Sequence, residues 1–351
     1  MSETEQEYYP QPKLAWLNGR PMATGVIKQS PDDFHVREAL GFSADGDGEH
    51  LFVRLRKIGC NTVFVAEQLA KFAKVPAKSV TYAGLKDRHA VTEQTFCVHL
   101  PGKTSPDFTQ LSLEGVEILS VARNKKKLHI GNLQGNYFEI TLREISDPED
   151  VEQRLQNLIE QGFVNYFGDQ RFGKAYYNIA QAIRWGTNEI QVRDKKKRGF
   201  YLSAARSLLF NLITSERIKQ QRVAEVYAGD AVQLHGSQSW FVAKADELAE
   251  LNRRLQEGDI YLTAPLPGEG ANGSEGDVAE FENSIIAQYS ALSSLLYSQR
   301  VKPLRRAMII KAQELTWQWL DNKSLKINFY LPAGSFATSL IRELLILESE
   351  Y

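Results

Sequence analysis

The stretch over residues 81–94 reads TYAGLKDRHAVTEQ, and its residue types could support chemistry at a carboxylate. Asp87 lies between Lys86 and Arg88 and follows Gly84, which permits a sharp turn of the backbone. Neighbouring cations favour the ionised form of an acid, and an ionised aspartate can act as a nucleophile, a general base or a metal ligand. Because Gly and Asp are also ordinary turn residues, a solvated turn is the competing interpretation.

The elements around this stretch must hold Asp87 in place. Asn61 can cap a helix that runs to about Ala73, since apolar residues recur there at helical spacing. A short strand, SVTYAG, then leads into the Asp87 turn, and TEQTFCVHL resumes as a strand. Asp87 is therefore expected on a connection between two strands, where a rigid scaffold commonly displays functional groups.

Residues 25–56 precede this region and alternate between apolar and polar types. VIKQSPDDFHVREAL and LFVRLRK are predicted to form an antiparallel pair across the corner SADGDGEH. The DGDGE run places Glu49 and Arg56 at the fifth and twelfth positions of a calcium loop, and Arg56 stands where such a loop requires a glutamate. We therefore interpret the corner as a turn. Taken by itself, Lys28 near a strand end is interpreted as a solvated cation.

The pattern along the remaining chain predicts an α+β protein with a discontinuous domain. Three further strands, GVEILSVAR, KLHIG and YFEITLREI, are followed after Gly162 by a change to helical periodicity, with one hairpin formed by AVQLHG and SWFVAK. After Pro303 the sequence again shows the alternation typical of strands, and a final helix is predicted after these strands. Helices are predicted at about residues 176–185, 202–219, 245–256 and 278–298. The predicted division is a disordered extension over 1–16, one domain over 17–161 and 304–351, and an inserted α/β domain over 162–303.

Composition limits the partners and the compartment. The 351 residues include 42 Lys plus Arg and 43 Asp plus Glu, so a net charge of -1 gives no long-range attraction to nucleic acid. A polyanion must therefore meet local basic clusters, which could equally be solvated surface. The two cysteines, Cys60 and Cys97, favour neither a disulfide framework nor a zinc site, and no signal peptide or long apolar run is present, so we expect a soluble cytoplasmic protein. The basic candidates are Lys125, Lys126, Lys127, Lys195, Lys196, Lys197 and Arg198.

Four separated motifs together resemble the tRNA pseudouridine synthase D (TruD) family. They are AGLKDRHAVTEQ, GNYF at residues 135–138, NYFGDQRFG at 165–173 and LPAGSFATSLIREL at 331–344. Gly-x-x-Lys and Pro-x-Asp-Phe near the N-terminus, at residues 25–28 and 31–34, add to the match. The resemblance covers nearly the whole chain after about Leu17.

The resemblance implies a role for individual positions. Asp87 corresponds to the catalytic aspartate of the family, and Lys28 is expected to pair with its carboxylate. Phe138 is expected to stack on the target base, and Phe34, Asn136 and Phe336 are expected to hold the substrate. The implied fold is a bifurcated mixed sheet with flanking helices, interrupted by an insertion domain.

The implied reaction is the isomerisation of uridine to pseudouridine in tRNA, at uridine 13 of the D-arm. Such an isomerisation needs no redox or phosphate cofactor, so none is expected, and we expect a monomer with no obligate protein partner. Two other functions stay open. A non-catalytic RNA-binding protein could use the same groove without needing Asp87, whereas a nucleosidase is disfavoured because the motif lacks a second well-placed acid.

Overall fold

The computed structural model of the protein describes residues 9–102 and 104–348. Two compact units are present, and each is described by itself. The first, which we call the sheet unit, comprises Pro21–Leu155, Ala312–Ala337 and Leu344–Tyr351. The second, the helix unit, comprises Met1–Arg20, Gln156–Lys311 and Thr338–Glu343.

Sixteen strands and eight α-helices make up the described chain. The strands are β1 (Thr24–Gly25), β2 (Phe34–Ala39), β3 (His50–Lys57), β4 (Val80–Tyr82), β5 (Val91–His99), β6 (Val116–Asn124), β7 (Gly135–Leu142), β8 (Phe163–Val164), β9 (Ala231–Leu234), β10 (Trp240–Val242), β11 (Ile260–Leu266), β12 (Leu304–Ala307), β13 (Ile309–Ile310), β14 (Gln313–Trp319), β15 (Leu325–Pro332) and β16 (Ile346–Leu347). The helices are α1 (Thr62–Phe72), α2 (Pro148–Gln161), α3 (Tyr177–Gly186), α4 (Lys195–Lys219), α5 (Leu248–Gln256), α6 (Gly276–Ala287), α7 (Ser290–Ser298) and α8 (Ala337–Leu344).

The sheet unit is built on one eight-stranded mixed sheet that forks. Its strand order is β14-β15-β7-β2-β5-β3-β6, and β4 also pairs with β5. One edge of β5 pairs with β3 along its length, whereas the other edge pairs with β2 at residues 91–93 and with β4 at residues 96–98. The fork therefore lies at Gln94 and Thr95. The α+β class and the bifurcated mixed sheet predicted from the sequence are confirmed.

Alternation along the strands gives this sheet an apolar face, which α1 covers. Leu51, Val53 and Leu55 of β3 are buried together with Val65 and Leu69 of α1. Asn61 caps the helix by accepting a hydrogen bond from the Phe64 N–H at 2.8 Å, which confirms the predicted cap and helix.

The predicted pairing of β2 with β3 is wrong. β2 lies between β5 and β7, and β3 lies between β5 and β6, so both edges of each strand are occupied. The Gly/Asp corner between them resembles a hairpin turn, but it bonds to the end of β6 instead. Gly46 donates to the Arg123 carbonyl at 2.9 Å, and Asp45 donates to the Asn124 side chain at 3.1 Å.

The predicted strand KLHIG is also wrong, and β6 and β7 do not pair with each other as a hairpin. This segment packs its one large buried side chain, Leu128, against the core beside Phe52 and Cys97. His129 and Asn132 then close a turn by bonds in both directions. An apolar residue anchoring an irregular connection gives the same local pattern as a short strand.

Segments from the two ends of the chain meet in the sheet unit. β1 and β16 form a parallel pair in which Thr24 faces Ile346. β15 pairs with β7 over eight residues of each strand. The strands at the end of the chain thus complete the sheet that the first strands begin.

The helix unit packs α3, α4 and α7 around an apolar cluster that includes Trp185 and Leu208. Beside them lies an antiparallel sheet with the order β10-β9-β11-β12. The predicted hairpin is confirmed as β9 and β10. The helix predicted over 278–298 is divided into α6 and α7, and the one predicted from residue 202 begins at Lys195.

Residues 9–16 make specific contacts, although we expected a disordered extension up to residue 16. Ala15 donates its N–H to Ser215 Oγ at 2.8 Å, and Leu14 packs beside Tyr166. Residues 1–8 lie outside the described part of the chain. The helix unit also extends to Lys311, beyond the predicted boundary at residue 303, because β12 and β13 pair with strands of that unit. Within residues 9–102 and 104–348, no helix combines the length and the apolar character that crossing a bilayer requires.

Candidate active site

The Asp87 loop connects β4 to β5 and is held from two directions. Gln94, at the fork, donates its side-chain amide to the Gly84 carbonyl and accepts from Thr62 Oγ1 at 3.1 Å. The same hydroxyl accepts from the Lys86 N–H at 3.0 Å. The first residue of α1 and the fork of the sheet therefore fix the loop together. Glu93 instead pairs with two arginines of β3, Arg54 and Arg56.

Lys28 and Asp87 form the central ion pair of the site. The Lys28 ammonium donates to Asp87 Oδ2, and the His89 N–H donates to Oδ1 at 3.0 Å. Burial raises the pKa of Asp87, but the hydrogen bond and charge of Lys28, together with the N–H groups of His89 and Arg88, outweigh burial and hold that pKa below its usual value. Asp87 is therefore ionised at neutral pH. Lys28 has a φ of 57°, a left-handed conformation that is uncommon for a side chain of this size.

A row of three phenylalanines begins beside this pair. The Lys28 ammonium lies 4.4 Å from the centre of the Phe34 ring, and Phe34 meets Phe138 edge to face at 6.3 Å. Phe138 in turn stacks on Phe329 at 5.2 Å. Phe34 and Phe138 are 5% and 9% exposed, so the two predicted substrate aromatics belong to one buried group that also borders the ion pair.

Asn136 is held by a buried charge pair that sequence reasoning missed. Lys86 donates to Asn136 Oδ1 at 2.7 Å and lies 3.5 Å from a Glu38 carboxylate oxygen. Lys86 therefore does not face solvent, since its side chain is 6% exposed and that of Glu38 is 2% exposed. Glu38 also accepts a hydrogen bond from the Thr95 N–H at 2.9 Å. Thr95 lies at the fork, where neither β2 nor β4 pairs with it.

This contact determines which way the Asn136 amide points. A lysine ammonium can only donate, so the amide oxygen must face Lys86 and the amide NH₂ must face away from it. The strand pattern contained the signal for Glu38, because alternation along β2 places it on the same face as the buried Phe34 and Val36. A carboxylate on an apolar face needs a cation, and Lys86 supplies it.

A second buried lysine lies under the loop. Lys57, the last residue of β3, is 0% exposed, and its ammonium lies 3.0 Å from the Asp87 carbonyl oxygen and 2.8 Å from that of Cys60. Alternation along LFVRLRK places Lys57 on the face of Leu51, Val53 and Leu55, a signal that the sequence contained.

The remaining predicted residues lie on three other segments of the chain. Phe336 is half-buried in the sheet unit and immediately precedes α8. Lys125, Lys126 and Lys127 are exposed on the connection between β6 and β7. In the helix unit, Lys195, Lys196, Lys197 and Arg198 form the exposed first turn of α4, ahead of the helix start predicted at residue 202. The helix begins there because Asp194 caps it by accepting from the N–H groups of Lys196 and Lys197.

Comparison with known proteins agrees with the family resemblance and the fold. A family model described as tRNA pseudouridine synthase D (TruD) matches residues 15–186 and 186–344. The chain is 53% identical over 336 residues to tRNA pseudouridine synthase D of Proteus mirabilis (strain HI4320), with 96% of each chain covered. The crystal structure of a Methanosarcina mazei protein described as TruD has the same fold, with a TM-score of 0.71 at 21% identity over 92% of this chain and 93% of the other. This chain therefore belongs to the tRNA pseudouridine synthase D family of isomerases.

Proposed function

We propose that the protein converts uridine 13 in the D-arm of tRNA into pseudouridine, with Asp87 as the nucleophile. The reaction breaks the N-glycosidic bond, rotates the uracil and joins its C5 to C1' of the ribose. C5 loses a proton and N1 gains one, so no atoms are gained or lost overall. The observation that carries the proposal is the half-buried pairing of an ionised Asp87 with Lys28.

This pairing suits both steps that Asp87 could perform. Attack at C1' and removal of the C2' proton each need a deprotonated carboxylate in a fixed direction. Lys28 supplies the charge that keeps the acid ionised, and the His89 N–H orients the second oxygen. Because the carboxylate is already directed before substrate arrives, little reorganisation is needed at the moment of reaction.

The neighbouring residues suit recognition of a uracil ring. A uridine must leave its base stack to be reached, which costs unstacking energy. Stacking of the uracil on an aromatic side chain contributes about 1–3 kcal/mol per base and so offsets part of that cost. We assign this stacking to Phe138, with Phe34 and Phe336 contributing apolar contact. The Asn136 NH₂, directed by Lys86, can donate to a uracil carbonyl oxygen.

The basic first turn of α4 is proposed to contact RNA phosphates. Four cations at a helix N-terminus oppose the helix dipole, at a cost of roughly 0.3–1 kcal/mol for each near neighbour. Helix stability therefore does not explain Lys195, Lys196, Lys197 and Arg198, whereas binding to a polyanion does. Lys125, Lys126 and Lys127 are proposed to act in the same way, on exposure and charge alone.

The test of the proposed function is release of tritium from tRNA labelled at uracil C5. Wild-type protein should release it, and Asp87→Asn should lower the rate at least 10³-fold, since removal of a nucleophile eliminates the covalent route. Asp47→Asn is the matched control, because Asp47 is an exposed aspartate in the same unit. Equal release by Asp87→Asn and wild type would exclude the nucleophile assignment.

Binding measurements separate the proposed enzyme from a non-catalytic RNA-binding protein. Asp87→Asn should still bind tRNA within a few-fold of wild type, since it retains the aromatic group and the basic clusters. If wild-type protein binds tRNA but releases no tritium, the RNA-binding alternative is correct. Mapping the modified position in the product tests uridine 13 directly.

A further inference from the structure

Lys57 is a buried cation to which neither the family resemblance nor the proposed reaction assigns a role. Its ammonium donates to the main-chain oxygens of Asp87 and Cys60, at 3.0 and 2.8 Å. Burying an ammonium is unfavourable, and a methionine would fill a similar volume at lower cost. Its presence at a fully buried position therefore points to something that a neutral side chain could not supply.

We propose that Lys57 is a positioning residue, whose ammonium fixes the main chain of Asp87 and so directs the carboxylate toward the reacting ribose. This inference rests on the proposed function of Asp87. Lys57 acts through the loop and does not itself touch the substrate.

The geometry shows what the ammonium adds to the other contacts. The Thr62 and Gln94 contacts hold the loop at Lys86 and Gly84, before Asp87. Lys28 and His89 hold the carboxylate itself. Lys57 holds the main-chain carbonyl of Asp87, which neither of these two groups of contacts reaches. Because the same ammonium also bonds to the Cys60 carbonyl, it links Asp87 to the segment that leads into α1.

A charge is better suited to this task than a neutral donor. Hydrogen bonds from a charged donor are roughly twice as strong as those between neutral groups. Placement matters because a displacement of about 1 Å at a reacting group can cost roughly 10²-fold in rate. When the main-chain carbonyl of Asp87 is held rigidly, its carboxylate can move only by rotation about the side-chain bonds.

The surroundings make the charge of Lys57 sensitive to pH. The pKa of Lys57 is lowered from 10.5 to about 8, chiefly by burial and to a smaller extent by the charge of Lys86, while Cys60 and Asp87 oppose the shift. The other charged groups on adjoining elements are directed elsewhere. Arg88 donates to the Gly59 carbonyl, Glu93 and Glu117 pair with Arg54 and Arg56 of β3, and Glu67 and Lys71 of α1 are exposed.

This pKa gives a readout that separates positioning from a purely structural role. Because the folded-state pKa of Lys57 lies below its unfolded value, the unfolded state binds more protons between about pH 8 and 10, and Lys57's contribution to stability rises with pH there. Loss of the charge weakens the hold on Asp87 over the same range. Rate and stability should therefore move in opposite directions.

The experiment compares wild type with Lys57→Met and with Lys71→Met, an exposed lysine in the same unit. Single-turnover tritium release at saturating tRNA is measured from pH 6.5 to 9.5, with tRNA affinity. Wild type and Lys71→Met should lose about three- to tenfold in rate above pH 8. Lys57→Met should be about 10- to 100-fold slower at pH 7, bind tRNA within twofold, and lack the alkaline decline. A Lys57→Met rate within twofold of wild type, or a decline that persists in this variant, would overturn the proposal.

Hydrogen exchange gives a second measurement that needs no activity and only the wild-type protein. Protection of the peptide over residues 84–90, corrected for intrinsic exchange, should fall about three- to tenfold between pH 7 and 9.5, while protection of β3 does not fall. Unchanged loop protection would overturn the proposal even if Lys57→Met failed to fold. If the wild-type protein shows the expected loss of protection but releases no tritium, the proposed enzymatic function is rejected. The contact between Lys57 and the Asp87 loop is then still supported.

Discussion

The buried pair of Lys86 and Glu38 should affect stability and activity by separate routes. Removing one partner of a buried ion pair typically costs about 3–5 kcal/mol, because the other charge is left without compensation. The separation of 3.5 Å is long, and burial already raises the pKa of Glu38, so that Glu38 can take up a proton when Lys86 is absent. We therefore expect Lys86→Met to cost about 3 kcal/mol, at the lower end of this range.

The Glu38→Gln variant is the matched comparison, since glutamine can still accept the Thr95 N–H. It should also cost about 3 kcal/mol, because Lys86 then lacks its counterion. The double variant contains neither charge, so its loss should be smaller than the sum of the single losses by about 2 kcal/mol, a coupling typical of contacting residues. Urea unfolding of the four proteins measures this coupling.

Activity should follow a different order, because only Lys86 bonds to Asn136. Loss of a hydrogen bond from a charged donor is worth about 1.5–3 kcal/mol, which corresponds to roughly 10- to 150-fold in kcat/KM. Lys86→Met and the double variant should both show this loss, whereas Glu38→Gln stays within about threefold of wild type. Recovery of activity together with stability in the double variant would refute the orienting role of Lys86, and additive stability losses would refute the buried pairing.

Two further predictions concern the charges of the site and of α4. Lys28→Met should lower tritium release more at pH 5.5 than at pH 8, because Lys28 keeps the pKa of Asp87 low; an equal loss at both pH values would contradict this. The stability that the pair contributes is present above the unfolded pKa of about 3.9 and is lost as pH falls through the lower folded value. Replacing Lys195, Lys196 and Lys197 by Ala should make the slope of log affinity for tRNA against log salt shallower by about two to three, with unfolding free energy unchanged or higher. An unchanged slope would show that these lysines are solvated and do not contact phosphates. The same replacement of residues 125–127 tests the second cluster.

Local rules predicted the elements whose cause is local. The Asn61 cap and the β9–β10 hairpin follow from residues within a few positions of each other, and both are confirmed. The motif resemblance placed Lys28 and Phe34 in one region with Asp87, and the structure brings these three together. Their catalytic roles stay predictions.

The failures around the site involve partners that are distant in sequence. The corner after β2 has the composition of a hairpin turn, but its partners lie some eighty residues later on β6. Lys86 and Arg88 look alike beside Asp87, and only the register of β2 against β7 shows that Glu38 and Asn136 are opposite each other, where Lys86 reaches both. Alternation alone identifies a charged residue on an apolar face, but it cannot name the residue that neutralises it.

The late pairing of β15 with β7 has a consequence for synthesis on the ribosome. About 180 residues separate Leu142 from Leu325, and at roughly 5–20 residues per second this interval takes on the order of ten to forty seconds. Throughout it, one edge of β7 has no strand to pair with, and an unpaired apolar edge invites association with other chains. The nascent protein is therefore expected to need chaperone protection during this interval, and slower translation of the intervening segment should increase aggregation.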